Sequence, residues 1–554
     1  MAKNQIPDMP RGQPALPAGK KPKTADIIAA EKIIADISSG IYRSPAAALK
    51  ELVSNAYDAD AETINITTDS PRFRTLTIED DGVGMTLDKF LEVITHIGGS
   101  RKRVDSDRSA VHGRKLIGRI GIGMLAVAQL GNLFYVTSKV KGEDTRFIAE
   151  VNLDPFHRDD VALRSMGKFK GEGKVQIGAV RYVDRIPEMR DVQYTVITVP
   201  DAKKGLISEM TSAVRKAVGA HERLTIELVR IEDFDKLIDV VRSAQRADLV
   251  LDGYYYMLWE LALLSPVNYS DRGPFDTSAR NIESADAFTK QRIEDFKVLV
   301  DGLELRRPQL FPNTKAISYS SPDPKIYPIT FDRRISKRRL RFTGYIYSQQ
   351  PRIFPEELKG IHIRIREVGI GKYDKSWLGY PFDEGIKFGQ ITGEIFVDEG
   401  LEPALNIDRD SFRETDVHYQ AMRAYVWDLL RKQVFPDFKQ RANTLRQEKR
   451  RSLQAAHHQR FVDALLELPS PVIGKAKFTS ADIDEDRLFE IDGDTLVFNK
   501  NKWERFCSEN EISSDEAKER FLRVVAVLAA SELLIDSTGD EVLNLLRAIA
   551  VAVQ

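Results

Sequence analysis

Glu51, Asn55 and Asp58 recur at i, i+4 and i+7 in the stretch ALKELVSNAYDADAETINI, Ala48 to Ile66. That spacing puts them on one face of a helix, with Leu49, Leu52, Val53 and Ala56 on the opposite, buried face. A solvated surface is the plain reading of such a polar stripe. The chemical reading is more specific. Asn55 offers a neutral oxygen that can ligate Mg2+, a hard ion that keeps several waters and bridges phosphates. Glu51, one turn earlier, can hold and deprotonate a water aimed at a terminal phosphate; a positioned general base contributes about 10²–10⁴ in rate.

Two further signals follow in order. Asp80-Asp81-Gly82-Val83-Gly84-Met85 forms a tight turn after a strand. Asp80 is an acceptor suited to an exocyclic amino group, and Gly82 and Gly84 let the backbone pass close to a planar ring. Gly118-Arg-Ile-Gly121-Ile-Gly123 lies between a polar stretch and a short apolar helix. Its three glycines can turn backbone N–H groups toward phosphates. Each signal alone is weak, since a helix end, a hairpin turn and close helix packing explain them as well. A dinucleotide fingerprint needs a buried strand before its glycines, whereas HGRKL is polar and basic. No G-x-x-x-x-G-K-[ST] run occurs, which excludes a P-loop.

The elements that must position these residues can be read in outline. Thr24 caps an expected helix over ADIIAAEKIIADI; Ser44 and Pro45 open the helix that carries Glu51. TINITTD and RTLTIED alternate as strands, then TLDKFLEVITHIG reads as a helix. Residues 98–118 are polar, basic and without periodicity, too long for a plain connection, and are read as a lid. MLAVAQLG is a short helix, and NLFYVTSKV, DTRFIAEVNL, KVQIGAVRYV and QYTVITV are strands. The expected organisation is a disordered tail (1–23), an α+β domain (24–220), a second mixed region (221–435) and a mainly helical C-terminal region (436–554). The second region starts helical and then carries the strands YPITF, RLRFTGYIYS, GIHIRIREV and GEIFVD.

The chain has 554 residues, of which 42% are hydrophobic, with 82 Lys and Arg against 83 Asp and Glu. A net charge of -1 supplies no global field toward nucleic acid or membrane. The basic runs 333–341 and 439–460 read as solvated strand edges or helix faces. Cys507 is the lone cysteine, so no intrachain disulfide forms. With no apolar run of membrane-spanning length and no apolar stretch at the N-terminus, a cytoplasmic location is expected.

The ordered set Glu51…Asn55…Asp58-Ala59, Asp80…Gly84 and Gly118…Gly123 closely resembles the N box and two glycine boxes of the GHKL ATPase superfamily. That superfamily includes gyrase, ninety-kilodalton heat-shock chaperones, histidine kinases, MutL-type repair proteins and MORC proteins. The match spans about 24–220, with Asp81 where many relatives have Asn. The resemblance implies a Bergerat-fold α/β sandwich followed by a transducer-like domain, with ATP and Mg2+ as cofactors. It makes Asp80 the adenine-reading carboxylate, with Met85 closing its motif, and Asp58 a support of the nucleotide pocket. Thr195, in QYTVITV, falls where relatives place a Thr beside the adenine, although the usual preceding Gly is Tyr194 here. Leu405-Asn406-Ile407-Asp408-Arg409-Asp410 is similar to the middle-domain loop L-N-x-S-R-E of the chaperones and implies that Arg409 reaches the γ-phosphate.

The resulting expectation is an ATP-hydrolysing conformational switch, a chaperone-like homodimeric clamp acting on a protein client. The alternative is a nucleic-acid-linked, MORC-like ATPase, for instance in bacterial defence against phage. A histidine kinase is disfavoured because little chain precedes residue 51. No nuclease-like or toprim-like pattern follows residue 436, which leaves topoisomerase and mismatch-repair readings without support. Glu51 argues against a scaffold that binds ATP without turnover.

Overall fold

The computed structural model describes residues 15–17, 19–30, 44–97, 108–117, 126–153, 174–211, 215–216, 233–246, 249–250, 253–275, 286–289, 293, 295–311, 324–349, 351–406, 410–441, 443–444, 446–452, 475–479, 488–492 and 495–530. Residues 1–438 form one compact unit and 439–554 a second. The chain is α+β.

The first unit is built on a ten-stranded sheet. Its strands are β1 (Lys23–Ala30), β2 (Thr63–Thr67), β3 (Leu76–Asp80), β4 (His96–Ile97), β5 (Leu133–Lys139), β6 (Thr145–Asn152), β7 (Lys174–Pro187), β8 (Tyr194–Val199), β11 (Lys297–Val300) and β12 (Leu303–Glu304). The order across the sheet is β12-β11-β2-β3-β8-β5-β6-β7-β1-β4. A separate short ladder joins β9 (Arg215–Lys216) to β10 (Leu249–Val250). Alternating burial along β2, β3 and β6 shows one face of the sheet packed and the other wetter. β11 pairs in parallel with β2, so the sheet that begins in the first expected domain takes in a strand from the second.

The helix expected over ADIIAAEKIIADI is a correction. Its first part is the strand β1, paired along its whole length with β7 and at its end with β4. Alanine and isoleucine in succession satisfy either period locally, and the ladder to β7, some 150 residues away, settles the matter, as tertiary context overrides propensity. Residues 31–43 lie outside the described ones.

Helix α1 (Pro45–Asp58) starts as the sequence suggests. The Ser44 hydroxyl accepts from the Ala47 N–H at 3.2 Å, and proline occupies the first turn. The expected division into one buried and one polar face does not hold. Lys50, Glu51 and Ser54 are buried alongside Leu49, Leu52 and Val53. The reason is the largely apolar α6 (Gly253–Leu264), which packs against α1 and covers much of the surface that would otherwise be polar and wet, leaving Asn55 exposed. Helices α2 (Leu87–Thr95), α3 (Val127–Leu130), α4 (Lys204–Met210) and α5 (Phe234–Arg246) bury side chains in the same core.

A second sheet in the same unit runs β13-β14-β17-β15-β16. Its strands are β13 (Lys325–Ile335), β14 (Arg338–Ser348), β15 (Gly360–Ile365), β16 (Val368–Asp374) and β17 (Ile391–Glu399). Helix α7 (Val417–Leu429), capped by the Asp416 carboxylate, buries Met422 and Val426 against this sheet.

In the second unit β18 (Lys475–Thr479), β20 (Thr495–Asn499) and β19 (Phe489–Asp492) form a small sheet. Helices α8 (Lys500–Glu509) and α9 (Asp515–Ala530) follow, with Trp503 and Phe506 stacked on Phe521. No helix among the described residues is long and apolar enough to cross a membrane.

Candidate functional site

The turn after β3 shows why its residue types are required. Gly84 has φ +69°, and a Cβ there would stand 2.1 Å from the Lys139 carbonyl oxygen. A Cβ on Gly82 would stand 2.7 Å from the Ala59 carbonyl oxygen. The close approaches visible here are thus to protein backbone. They press the turn onto the end of α1, where the Val83 N–H donates to the Ala59 carbonyl at 2.8 Å. Asp81, the departure from the family's Asn, accepts from the Glu62 and Thr63 N–H groups at 2.7 and 2.9 Å. Its role is to tie the turn to β2.

Asp80 lies opposite Thr195 in the β3–β8 ladder. Burial raises its carboxyl to about 7; Asp81 and Glu79 push the same way, and the Gly82 N–H at 3.1 Å opposes them. Among the described residues no cation contributes to holding its charge. Thr195 shares a 3.0 Å hydrogen bond with the Ser138 hydroxyl, which also accepts from the Met85 N–H at 2.9 Å and lies 3.1 Å from the Tyr194 carbonyl. Asp80, Gly82, Gly84, Met85 and Thr195 therefore form one constellation. Ser138 is the member that sequence reading missed. Its only signal was a small hydroxyl at a buried position of β5.

Glu51 is 2% exposed and Lys50 1%. The Lys50 ammonium stands 3.7 Å from the Glu51 carboxylate and 3.1 Å from that of Asp410. Asp410 belongs to a loop clasped at its ends: Leu405 bridges Phe412, and the Asn406 N–H donates to the Ser411 carbonyl at 3.0 Å. Arg409 lies outside the described residues, as do Gly118, Gly121 and Gly123. Asn55, one turn past Glu51, is exposed.

Asp58 does something its expected role did not include. Its carboxylate accepts from the Ile117 N–H at 2.7 Å. Asp60 accepts from Val111 and His112 at 2.8 and 3.1 Å. The buried Arg114 donates to the carbonyls of Ala61 at 2.6 Å and Asp295 at 2.7 Å, with its guanidinium over the Tyr57 ring. Residues 108–117, the described part of the expected lid, are thereby pinned to the end of α1.

Among the described residues no cluster of three His, Cys, Asp or Glu can hold a metal alone. The donor set fits Mg2+ in the way that ion is usually held, by one or two protein oxygens with substrate phosphates and water supplying the rest. Asn55 presents an exposed carboxamide oxygen of that kind.

The family described as histidine kinase-, DNA gyrase B- and HSP90-like ATPase matches residues 42–167. The putative type II restriction enzyme HgiDII of Herpetosiphon aurantiacus is 35% identical over 116 residues, 20% of this chain and 18% of that protein. DNA mismatch repair protein MutL of Rickettsia canadensis is 35% identical over 118 residues, 21% and 18% of the two chains. Chaperone protein HtpG of Bacillus velezensis is 30% identical over 134 residues, 20% and 21%. The chain spans about a fifth of the length of these curated relatives.

Proposed function

Residues 42–167 are a GHKL-family ATPase domain, and from that premise we propose that the chain is an Mg2+-dependent, ATP-hydrolysing conformational switch. Asp80 accepts from the exocyclic amine of adenine, with Thr195, Ser138 and Met85 as the floor beside it. Asn55 would hold the ion, which would supply positive charge against the negative charge of the phosphates. Glu51 takes a proton from the water whose oxygen bonds to the terminal phosphorus, while the bond to ADP breaks and its electron pair leaves with ADP.

The observation that carries this reading is the placement of Glu51. It is enclosed beside a cation, yet one helical turn from an exposed carboxamide. Lys50 extends the connection to Asp410, 360 residues away and next to Arg409. That contact supports a switch in which the Arg409 loop and the base act together, Arg409 neutralising charge at the γ-phosphate.

The family's habit of dimerising makes a homodimeric clamp the working assembly. A chaperone-like action on a protein client and a nucleic-acid-linked action remain as physiological classes. An arginine-rich cleft, described below, favours the second.

Glu51→Ala is expected to bind ATP with affinity near that of the parent while turnover falls about 10²–10⁴-fold. Equal turnover in the two proteins would take Glu51 out of the role.

A further inference from the structure

The unit 1–438 contains an open cleft of about 930 Å3 that the ATPase reading does not use. One wall is the hairpin of β13 and β14; the other includes Arg108 and Lys115 of the segment pinned beneath α1. Eight Arg and Lys line it against four carboxylates. An excess of four positive charges in one cleft of a chain whose net charge is -1 is a strong segregation.

The hairpin register explains how the charge is displayed. Phe331 and Leu340 are buried, and the exposed face carries Asp332, Arg334, Arg339 and Arg341. Arg334 lies directly opposite Arg339, a like-charge cross-strand pair that destabilises a sheet. Asp332 neutralises Arg339 through two hydrogen bonds of 2.7 and 2.5 Å, and Asp398 lies 3.3 Å from Arg341. Arg334 and Lys337 have no acidic partner among the described residues. Among the described residues, Arg333 stands over the Phe331 ring, 5.5 Å away, and has no acidic partner. Three cations near the tip of a well-paired hairpin thus face solvent without an acidic partner among the described residues. They are free to engage an anion from outside the chain.

The dimensions narrow the ligand. The cleft is far larger than one phosphate and lacks the apolar lining of a small-molecule pocket. Guanidinium groups match phosphate geometry with paired donors. No aromatic side chain lines it to stack on bases. We infer that this cleft binds the phosphodiester backbone of a nucleic acid, through charge and without reading sequence. The inference stands apart from ATP hydrolysis: failure of the Glu51 test leaves it intact, and its own failure leaves the ATPase reading intact.

The test uses the full chain and labelled oligonucleotides of roughly 20 residues, as single-stranded DNA, duplex DNA and RNA, at several salt concentrations. Binding is expected to weaken with salt with a logarithmic slope near -3 on duplex, about -0.9 per phosphate contacted. The exposed pair change Arg334→Glu with Lys337→Glu is expected to lower affinity at least about tenfold and to flatten the slope by about 2, with ATP turnover and melting temperature retained. Comparing the three oligonucleotides identifies the source of the backbone. Absence of binding at about 50 mM salt, unchanged affinity in the double variant, or displacement by polyglutamate at equal charge would each overturn the inference. The last result would make the cleft a site for acidic peptides.

Discussion

Asp80, half-buried at the end of β3, and Glu394, fully buried on β17, are both carboxylates shifted by their surroundings, and those surroundings are opposite. Around Glu394, on β17, burial alone would raise the carboxyl, but Arg364 and Arg307 outweigh it and hold it at about 2. Arg364 donates to one of its oxygens at 2.7 Å and Gln309 at 3.1 Å; the Tyr269 and Tyr345 hydroxyls donate to the other at 2.6 and 2.7 Å. Arg307 is paired in turn with Glu367 at 2.7 Å. This hub ties the β11–β12 side of the first sheet to the centre of the second. Asp80 has one backbone N–H and two acidic neighbours, and burial raises it to about 7. A carboxylate satisfied from within the chain is part of the scaffold. One left between acidic neighbours at the end of an interior strand, beside a turn that only glycine can make, is suited to a donor from outside, the part proposed for the adenine amine.

The contrast breaks most directly at Glu394. Glu394→Ala leaves Arg364 buried without its partner, and removal of one member of such a pair destabilises by about 3–5 kcal/mol. Denaturant unfolding of the full chain should register that loss, while nucleotide affinity of the folded fraction holds. A change below about 1 kcal/mol would show that the hub is no scaffold.

Asp80→Asn should behave in the reverse way. Hydrogen bonds to charged groups contribute about 1.5–3 kcal/mol, so ADP affinity is expected to drop about 10–100-fold in calorimetry. Folding stability at about pH 8 should be retained or should rise by on the order of 1 kcal/mol, because a charge raised by burial has been removed. If both variants lost stability alike, the distinction between scaffold and site would collapse.

How much of this was legible beforehand follows the same division. The order Glu51, Asn55, Asp58, then Asp80 to Met85, is local information, and α1, β2 and β3 form where local pattern places them. Ser44 even announces its cap. What was hidden depends on residues far apart in the chain. β1 is a strand because β7 pairs with it. Lys50 is buried because α6 covers α1 and Asp410 comes to meet it. Asp58 was read as a pocket residue from the family resemblance, and the Ile117 N–H it accepts from carries no mark in the sequence. Gly82 and Gly84 were read as letting the backbone pass close to a planar ring, and the crowding visible there comes from Ala59 and Lys139. Arginines at 333–341 read as an ordinary strand edge until the register placed Arg334 against Arg339.

The gentlest test separates the two carboxylates by pH alone. The ionised Asp80 is the stronger acceptor for the adenine amine, and its folded value lies near 7. ADP affinity should therefore fall as pH drops below about 7, by up to about tenfold per unit, and Asp80→Asn should abolish that dependence. Folding responds with the other sign at this residue. The raised carboxyl binds its proton more tightly in the folded chain than its ordinary 3.8, so its contribution to stability declines as pH climbs from about 4 to about 7. Glu394, depressed from 4.5 to about 2, contributes stability that is fully present above its ordinary value and is lost only as pH falls through about 2. Across pH 6 to about 8 it is silent, so a slope in ADP binding over that window belongs to the nucleotide pocket, and a flat profile would mean that Asp80 does not contact the base.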